Sequence, residues 1–389
     1  MMEDNVDKKK GRKRKLIKFA FSVLSSLVLL YIVVALISGR RPDFTRIFSL
    51  LGGREAVEMA GEYNFDVGRN RVFADLDGTL VSAGTLGIQV FDAGGSEAYR
   101  SSFRMTEPAI SAQNGRAVAY DIGGTAARVF GKTDIIASID TDGAIVSATI
   151  NRNGWVAVCT QEGGLTKGVI TAYNSDGKAV YKVSLATGYA LSAALSPDNK
   201  SLAILNLTED GSRISYYSLN SEVIDRAFDL PGGLILDIRY LTGGDVLAIS
   251  SDSLFIVSRN NRADTLYEFA DKRLGGYSLD GGIMALWLLD YSVGYRGRIV
   301  ALDEKGNILG DIDTDREIIS ISCDESYLAI LRSDGIAIYD RMFEEMMLSE
   351  EPATVAAAGA TKVLALRDGS ALAAGDNSAI VFTVLSTIN

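Results

Sequence analysis

Residues 72–83 read "VFADLDGTLVSA", and two incompatible folds pass through them. As an apolar strand ending in Asp-x-Asp, the stretch would hold Asp75 and Asp77 together at the end of one strand. As two short apolar strands around a polar centre, it would be a hairpin in which Asp and Gly supply the turn. Recurrence of the pattern along the chain decides between them.

The pattern recurs. "AISAQNGRAVAY" (109–120), "ATINRNGWVAVC" (148–159), "AALSPDNKSLAI" (193–204) and "SISCDESYLAIL" (320–331) each place a short polar turn between two apolar runs. A third run with an apolar–aromatic–polar end follows several of them, as in "GIQVFDAGG" (87–95), "VITAYNSDG" (169–177) and "GIAIYDRMF" (335–343). A fourth comes after that, as in "EAYRSSF" (97–103) and "AVYKVSL" (179–185). From Glu62 onward no segment sustains a helical period for three turns. Units begin near Arg71, Pro108, Ile145, Leu191, Leu234, Gly276, Ile318 and Thr354, spaced by about 40 residues, the period of a four-stranded propeller blade. The predicted fold is all-β: a β-propeller of eight four-stranded blades over residues 62–389. Seven blades is the alternative, because the last unit, "TVAAAGATKVLALRDGSALAA" (354–374), is weakly patterned. "EYNFDV" (62–67) precedes the first full unit and is positioned to complete the last blade.

The Asp-x-Asp stretch resembles the first motif of the haloacid dehalogenase-like phosphatases, which implies Asp75 as nucleophile and Asp77 as acid/base. That family needs helices around a parallel sheet, and no βαβ pattern exists here. "GDNSAI" (375–380) imitates its late acidic motif, but only nine residues follow. The turn reading is the expected one.

Composition narrows the chemistry. The 389 residues include no histidine, which removes Ser-His-Asp and Cys-His nucleophile systems and histidine-ligated metals. The two cysteines, Cys159 and Cys323, lie far apart inside apolar runs and are expected as buried free thiols. Trp155 and Trp287 are the only tryptophans, and Trp287 is expected in the core. "DRMFEEMMLSEEP" (340–352) is expected as a solvated outer strand. No cofactor or metal is expected.

The first 18 residues, "MMEDNVDKKKGRKRKLIK", hold eight cations against three carboxylates. Residues 19–38, "FAFSVLSSLVLLYIVVALIS", carry no charge; as a helix they span about 30 Å, the hydrocarbon thickness of a bilayer. The pattern predicts an uncleaved single-pass transmembrane anchor with a cytoplasmic basic tail (1–18), because positive flanks stay inside. Residues 39–61 read as a juxtamembrane linker. Phe44, Ile47, Phe48 and Leu51 form one helical face there, suited either to the membrane interface or to docking on the domain. With the tail set aside, the total of −10 becomes −15 for the rest, which argues against nonspecific nucleic-acid binding.

With the repeats in view, "VFADLDGTLVSAGTLGIQVFD", "NGRAVAYDIGGTAARVF", "GVITAYNSDGKAVYKVS", "GYALSAALSPDNKSLAILNL" and "LPGGLILDIRYL" resemble a family of membrane-anchored Firmicutes proteins classed as a domain of unknown function. The resemblance spans roughly residues 62–370 and implies an extracytoplasmic propeller at the cell membrane. It brings no catalytic residues. "SPDNKSLAI" is also similar to the blade turn of WD-repeat propellers.

The expected function is a non-catalytic, membrane-anchored scaffold that binds an envelope protein. The alternatives are a ligand sensor working with a membrane partner, or a carboxylate-based glycan hydrolase or lyase at the channel. In three units the connection from second to third strand reads as long: "TQEGGLTKG" (160–168), "LTEDGSR" (207–213) and "DYSVGYRGR" (290–298). These loops supply the candidate partner-binding residues Glu162, Lys167, Glu209, Asp210, Tyr291, Tyr295 and Arg296, expected to cluster in one sector of one face. Harmless drift in loop length is the other reading.

Overall fold

The Asp-Gly of "VFADLDGTLVSA" closes a tight hairpin. Asp77 and Gly78 both adopt positive φ, 58° and 78°, as the type I′ turn requires. The Leu76 N–H donates to the Thr79 carbonyl at 2.8 Å, and the Gly78 N–H donates to Asp75 Oδ1 at 2.9 Å. The flanking strands Val72–Asp75 and Leu80–Gly84 pair antiparallel. Asp75 is therefore a turn cap on an antiparallel edge, and the phosphatase reading fails on topology. "QNGR" repeats the solution, with Asn114 and Gly115 at φ 51° and 73°.

The computed structural model describes residues 55–386, apart from 93–94, 163–166, 280–281, 292, 342, 344, 350–358, 367 and 376–377. No described residue is helical. Val57–Val384 form one compact unit. The basic tail, the apolar stretch 19–38 and the amphipathic stretch that follows it lie outside the described residues. Among the described residues no helix is long and apolar enough to cross a membrane.

The strands assemble into eight four-stranded antiparallel sheets. Blades 1 to 7 cover 72–102, 108–140, 144–185, 189–231, 235–268, 273–314 and 318–349 in order, and each is a simple meander. Blade 8 takes three strands from 360–386 and its outer strand, Glu55–Asn64, from the start of the described chain. The ring is thus closed by a strand from the opposite end of the sequence, and the eight-blade count holds over seven. The closing strand reaches further back than "EYNFDV", so residues 55–61 belong to blade 8 and not to the linker. Pairing there covers a strand edge that would otherwise be left open.

A blade cannot bury both faces of its own sheet; stacking does it. The two central strands are buried along almost their whole length, as in "LVSAG" and "GIQVF" of blade 1. Eight apolar clusters result, one between each pair of successive blades. The cluster between blades 8 and 1 packs Tyr63 and Phe65 against Phe73, Leu80 and Phe91. Cys159 and Cys323 sit in such clusters as buried free thiols. Burial pushes the Cys159 thiol up to about 12. Trp287 is half-buried against the cluster between blades 6 and 7.

In a ring of meanders, the second-to-third turns and the links between blades lie on one face, here the link face. The first-to-second and third-to-fourth turns lie on the other, the turn face. The closing strand leads through Phe65–Arg71 into blade 1, so it runs toward the link face and begins at the turn-face end.

Candidate functional site

The two faces differ in chemistry. The turn face repeats one compact polar device. Gly177 N–H donates to the Asn174 carbonyl and Asn174 N–H to that of Lys178; the same pair of bonds recurs at 151–155, 241–245, 303–307 and 366–370. Neighbouring turns are stitched together: Asn153 Nδ2 donates to the Pro197 carbonyl at 2.7 Å and Asn151 Nδ2 to Asn199 Oδ1 at 2.6 Å.

The link face is where large apolar side chains are left in water. Leu86, Ile122, Tyr189, Leu207, Leu234 and Leu236 are exposed there, and the blade 6 loop adds Tyr291 (65% exposed) and Val293 (85%). On the opposite side the exposed residues of this kind, such as Val223 and Ile308, stand at outer strands and their turns, away from the axis. Single exposed hydrophobics are ordinary, but their concentration on one face is informative.

Part of this chemistry comes from a repeated irregularity. In blades 3 to 8 the inner strand carries one extra residue near its link-face end, where the register with the second strand skips. Such bulges re-aim a side chain and interrupt pairing. The extra residues are Val146, Leu191, Leu236, Gly275, Ile319 and Thr361. Leu236 and Ile319 are exposed on the innermost strand, so they line the channel mouth. In blade 6 the extra residue is a glycine, and a Cβ there would lie 2.9 Å from Trp287 Cδ2; the indole covers the place that an aliphatic side chain takes elsewhere.

The expected partner-binding residues all stand on the link face, but the loops are not alike. "LTEDGSR" is a taut hairpin. Strands Ser201–Thr208 and Gly211–Ser218 stay paired through Thr208↔Gly211, leaving Glu209 and Asp210 as a two-residue tip. Gly211, at φ 138°, is required because a Cβ would lie 2.4 Å from the Leu230 carbonyl oxygen. Only blades 3 and 6 have long connections, and blade 5, with a two-residue turn, separates the blade 6 loop from the other two. The single expected sector is therefore two groups flanking blade 5. In blade 3, Glu162 pairs with Lys182 at 3.3 Å, and Lys167 lies 5.0 Å from the centre of the Tyr189 ring. In blade 6, Arg296 reaches Asp290 at 3.5 Å, and Lys272 pairs with the same carboxylate. At the root of that loop Arg298 pairs with Asp311 at 2.9 Å and with Asp313 at 2.8 Å, holding the Asp313 carboxyl below its usual range. Glu209, Asp210, Tyr291 and Tyr295 are exposed. Among the described residues no group of three or more Cys, Asp or Glu is placed to hold a metal ion.

A closed eight-bladed propeller with one polar face and one apolar-studded face defines the class. The chain belongs to a family of unknown function (DUF5711), whose model matches residues 55–349. No curated protein matches it. Among solved structures it is similar to BamB from Moraxella catarrhalis, at 14% identity over 86% of this chain and 99% of that one, TM-score 0.54. A quinohemoprotein alcohol dehydrogenase from Pseudomonas putida HK5 is similar at 11% identity over 86% and 77%, TM-score 0.54. The C-terminal WD40 domain of Sif2 is similar at 13% over 85% and 97%, TM-score 0.54. At these identities the likeness is one of fold.

Proposed function

We propose that this protein is a non-catalytic, membrane-anchored scaffold that holds an envelope protein on its link face. The observation that carries the reading is the asymmetry between faces: exposed Tyr, Leu, Ile and Val side chains gather where loops vary, while the opposite face is built mainly of compact polar turns, its exposed apolar side chains standing at outer strands away from the axis. Aromatic and aliphatic anchors within a polar rim are what protein interfaces use. The charge-free stretch 19–38 with its basic flank supports a single-pass anchor, N-terminus inside. The absence of histidine from the sequence removes histidine-based catalysis alone from the alternatives.

The test compares proteins co-isolated with the full-length chain, crosslinked in intact cells, with those co-isolated with a Tyr291→Ser, Val293→Ser, Tyr295→Ser variant. These side chains are exposed, so the variant folds. Loss of one abundant species is expected. An unchanged set of proteins would refute the role of this face.

A further inference from the structure

Blade 5 is low at the link face and its two neighbours are tall. The inner-strand bulges give a common ruler, because Asn206 of blade 4, Ser250 of blade 5 and Leu288 of blade 6 each lie just beyond the bulge. From that point blade 5 turns at once through Ser251-Asp252. Blade 4 continues for two more paired residues, Leu207 and Thr208, before its tip, a rise of roughly 7 Å at about 3.3 Å per residue. Blade 6 continues through Leu289 into the loop that carries Tyr291 and Val293. The top of blade 5 is therefore the floor of a trough between two walls, opening at its inner end on the channel mouth.

The floor is apolar and contiguous with the blade 4 wall. Leu234 and Leu236 are exposed on it, the latter at 41%. The Leu234 carbonyl accepts from Ser251 N–H at 3.1 Å, and Gly232 N–H donates to the Asp210 carbonyl at 2.6 Å. Leu207 of the wall is exposed and pairs across the sheet with Tyr189. The charge on the floor and on the blade 4 tip has one sign. Glu209 and Asp210 cap the wall, Asp252 caps the floor and Asp237 follows Leu236. The tip 209–210, the link 232–234 and the turn 251–252 contain no Lys or Arg. The cations at the margins are Arg213, close to Asp210 and paired with Asp229 at 2.6 Å, Lys167, over the Tyr189 ring, Lys272 and Arg296, both paired with Asp290, Arg298, paired with Asp311 and Asp313, and Arg273 at the start of blade 6.

We infer that the trough over blade 5 receives a segment of a partner protein that is both apolar and positively charged. Its apolar side chains lie on Leu234 and Leu236, and its Lys or Arg faces Glu209 and Asp210. This rests on the link-face reading above and adds the chemistry of the occupant. The same carboxylates oppose an anionic lipid surface, which would be repelled where a basic segment is attracted.

The full-length chain in detergent is panned against random 12-residue peptides displayed on phage, and enriched peptides are measured against variants. Enrichment of sequences combining aliphatic or aromatic residues with Lys or Arg is expected. Their affinity should fall at least tenfold with Leu236→Asp, and also with the Glu209→Lys, Asp210→Lys pair. Each variant must keep both thiols unreactive, which reports an intact ring. No enrichment, enrichment of acidic or uncharged peptides, or binding indifferent to Leu236→Asp overturns the inference. So does chain self-association lost with Leu236→Asp, or binding to phosphatidylglycerol vesicles in preference to peptides. In any of these cases, if the Tyr291, Val293, Tyr295 variant still loses its co-isolated species, the link-face reading stands and only the occupant is wrong.

Discussion

Removing the Phe65 ring tests how the propeller is closed. Phe65 follows the outer strand of blade 8 and is 8% exposed. Its ring lies 5.0 Å from that of Phe73 and 5.6 Å from that of Phe91, both in blade 1. Truncating a buried aromatic to Ala costs about 3–5 kcal/mol, with aromatic pairs contributing roughly 0.5–1.5 kcal/mol of that beyond buried area. Against a total stability of about 5–15 kcal/mol, this is a large loss. With a urea m-value of at least ~3 kcal/mol/M for a chain this long, Phe65→Ala should lower the unfolding midpoint by roughly 1 M. Tryptophan fluorescence is the assay, and its geometry sharpens the test. Trp155 and Trp287 lie in blades 3 and 6, far from the seam, so they respond only if opening the seam destabilises the whole ring. The control is Asp66→Ala, whose carboxylate pairs with Arg100 at 2.9 Å but is 76% exposed; it should shift stability by no more than about 1 kcal/mol. A Phe65→Ala midpoint equal to that of the control would refute closure through this contact.

Other outcomes follow from the same geometry. Asp75→Asn should abolish no Mg²⁺-dependent phosphatase activity, while Gly78→Val, which forces a β-branched residue to positive φ, should lower the melting temperature more than Asp77→Asn does. Neither thiol should react with a thiol reagent at pH 8 in the folded chain, and both should react in denaturant, because Cys159 and Cys323 are buried. Burial also holds the hydroxyls of Tyr181 and Tyr216 up to about 12, as it does the Cys159 thiol. The folded state keeps protons that the unfolded chain releases from about pH 9 to 10, so stability should be full below about pH 9 and decline toward pH 12. Urea titrations across that range check the sign; stability rising with pH there would contradict it.

The repeat was legible because short strands and turns have local signatures. "LDGT" and "QNGR" are I′ turns by residue type alone, and each apolar run marks a strand buried between blades. Blade 8 was harder to read. Its strands Ala360–Ala365 and Ala371–Gly375 are rich in alanine, which packs well between close sheets yet gives a weak hydrophobic pattern. The tall hairpin of blade 4 reads as a loop in sequence because "LTEDGSR" and "TQEGGLTKG" are alike in polarity. Cross-strand pairing of Leu207 with Ser212, a non-local fact, decides between them. The bulges are non-local in the same way.

The central claim is that one face binds and the other does not. A photoreactive residue placed singly at Asp210 or Tyr295 on the link face, and at Asp198 or Asp324 on the turn face, tests it in living cells expressing the full-length chain. The account predicts that both link-face positions capture one common protein on the outer side of the membrane and that neither turn-face position does. Equal capture from the two faces, capture from the turn face alone, or no capture from either link-face position would contradict it.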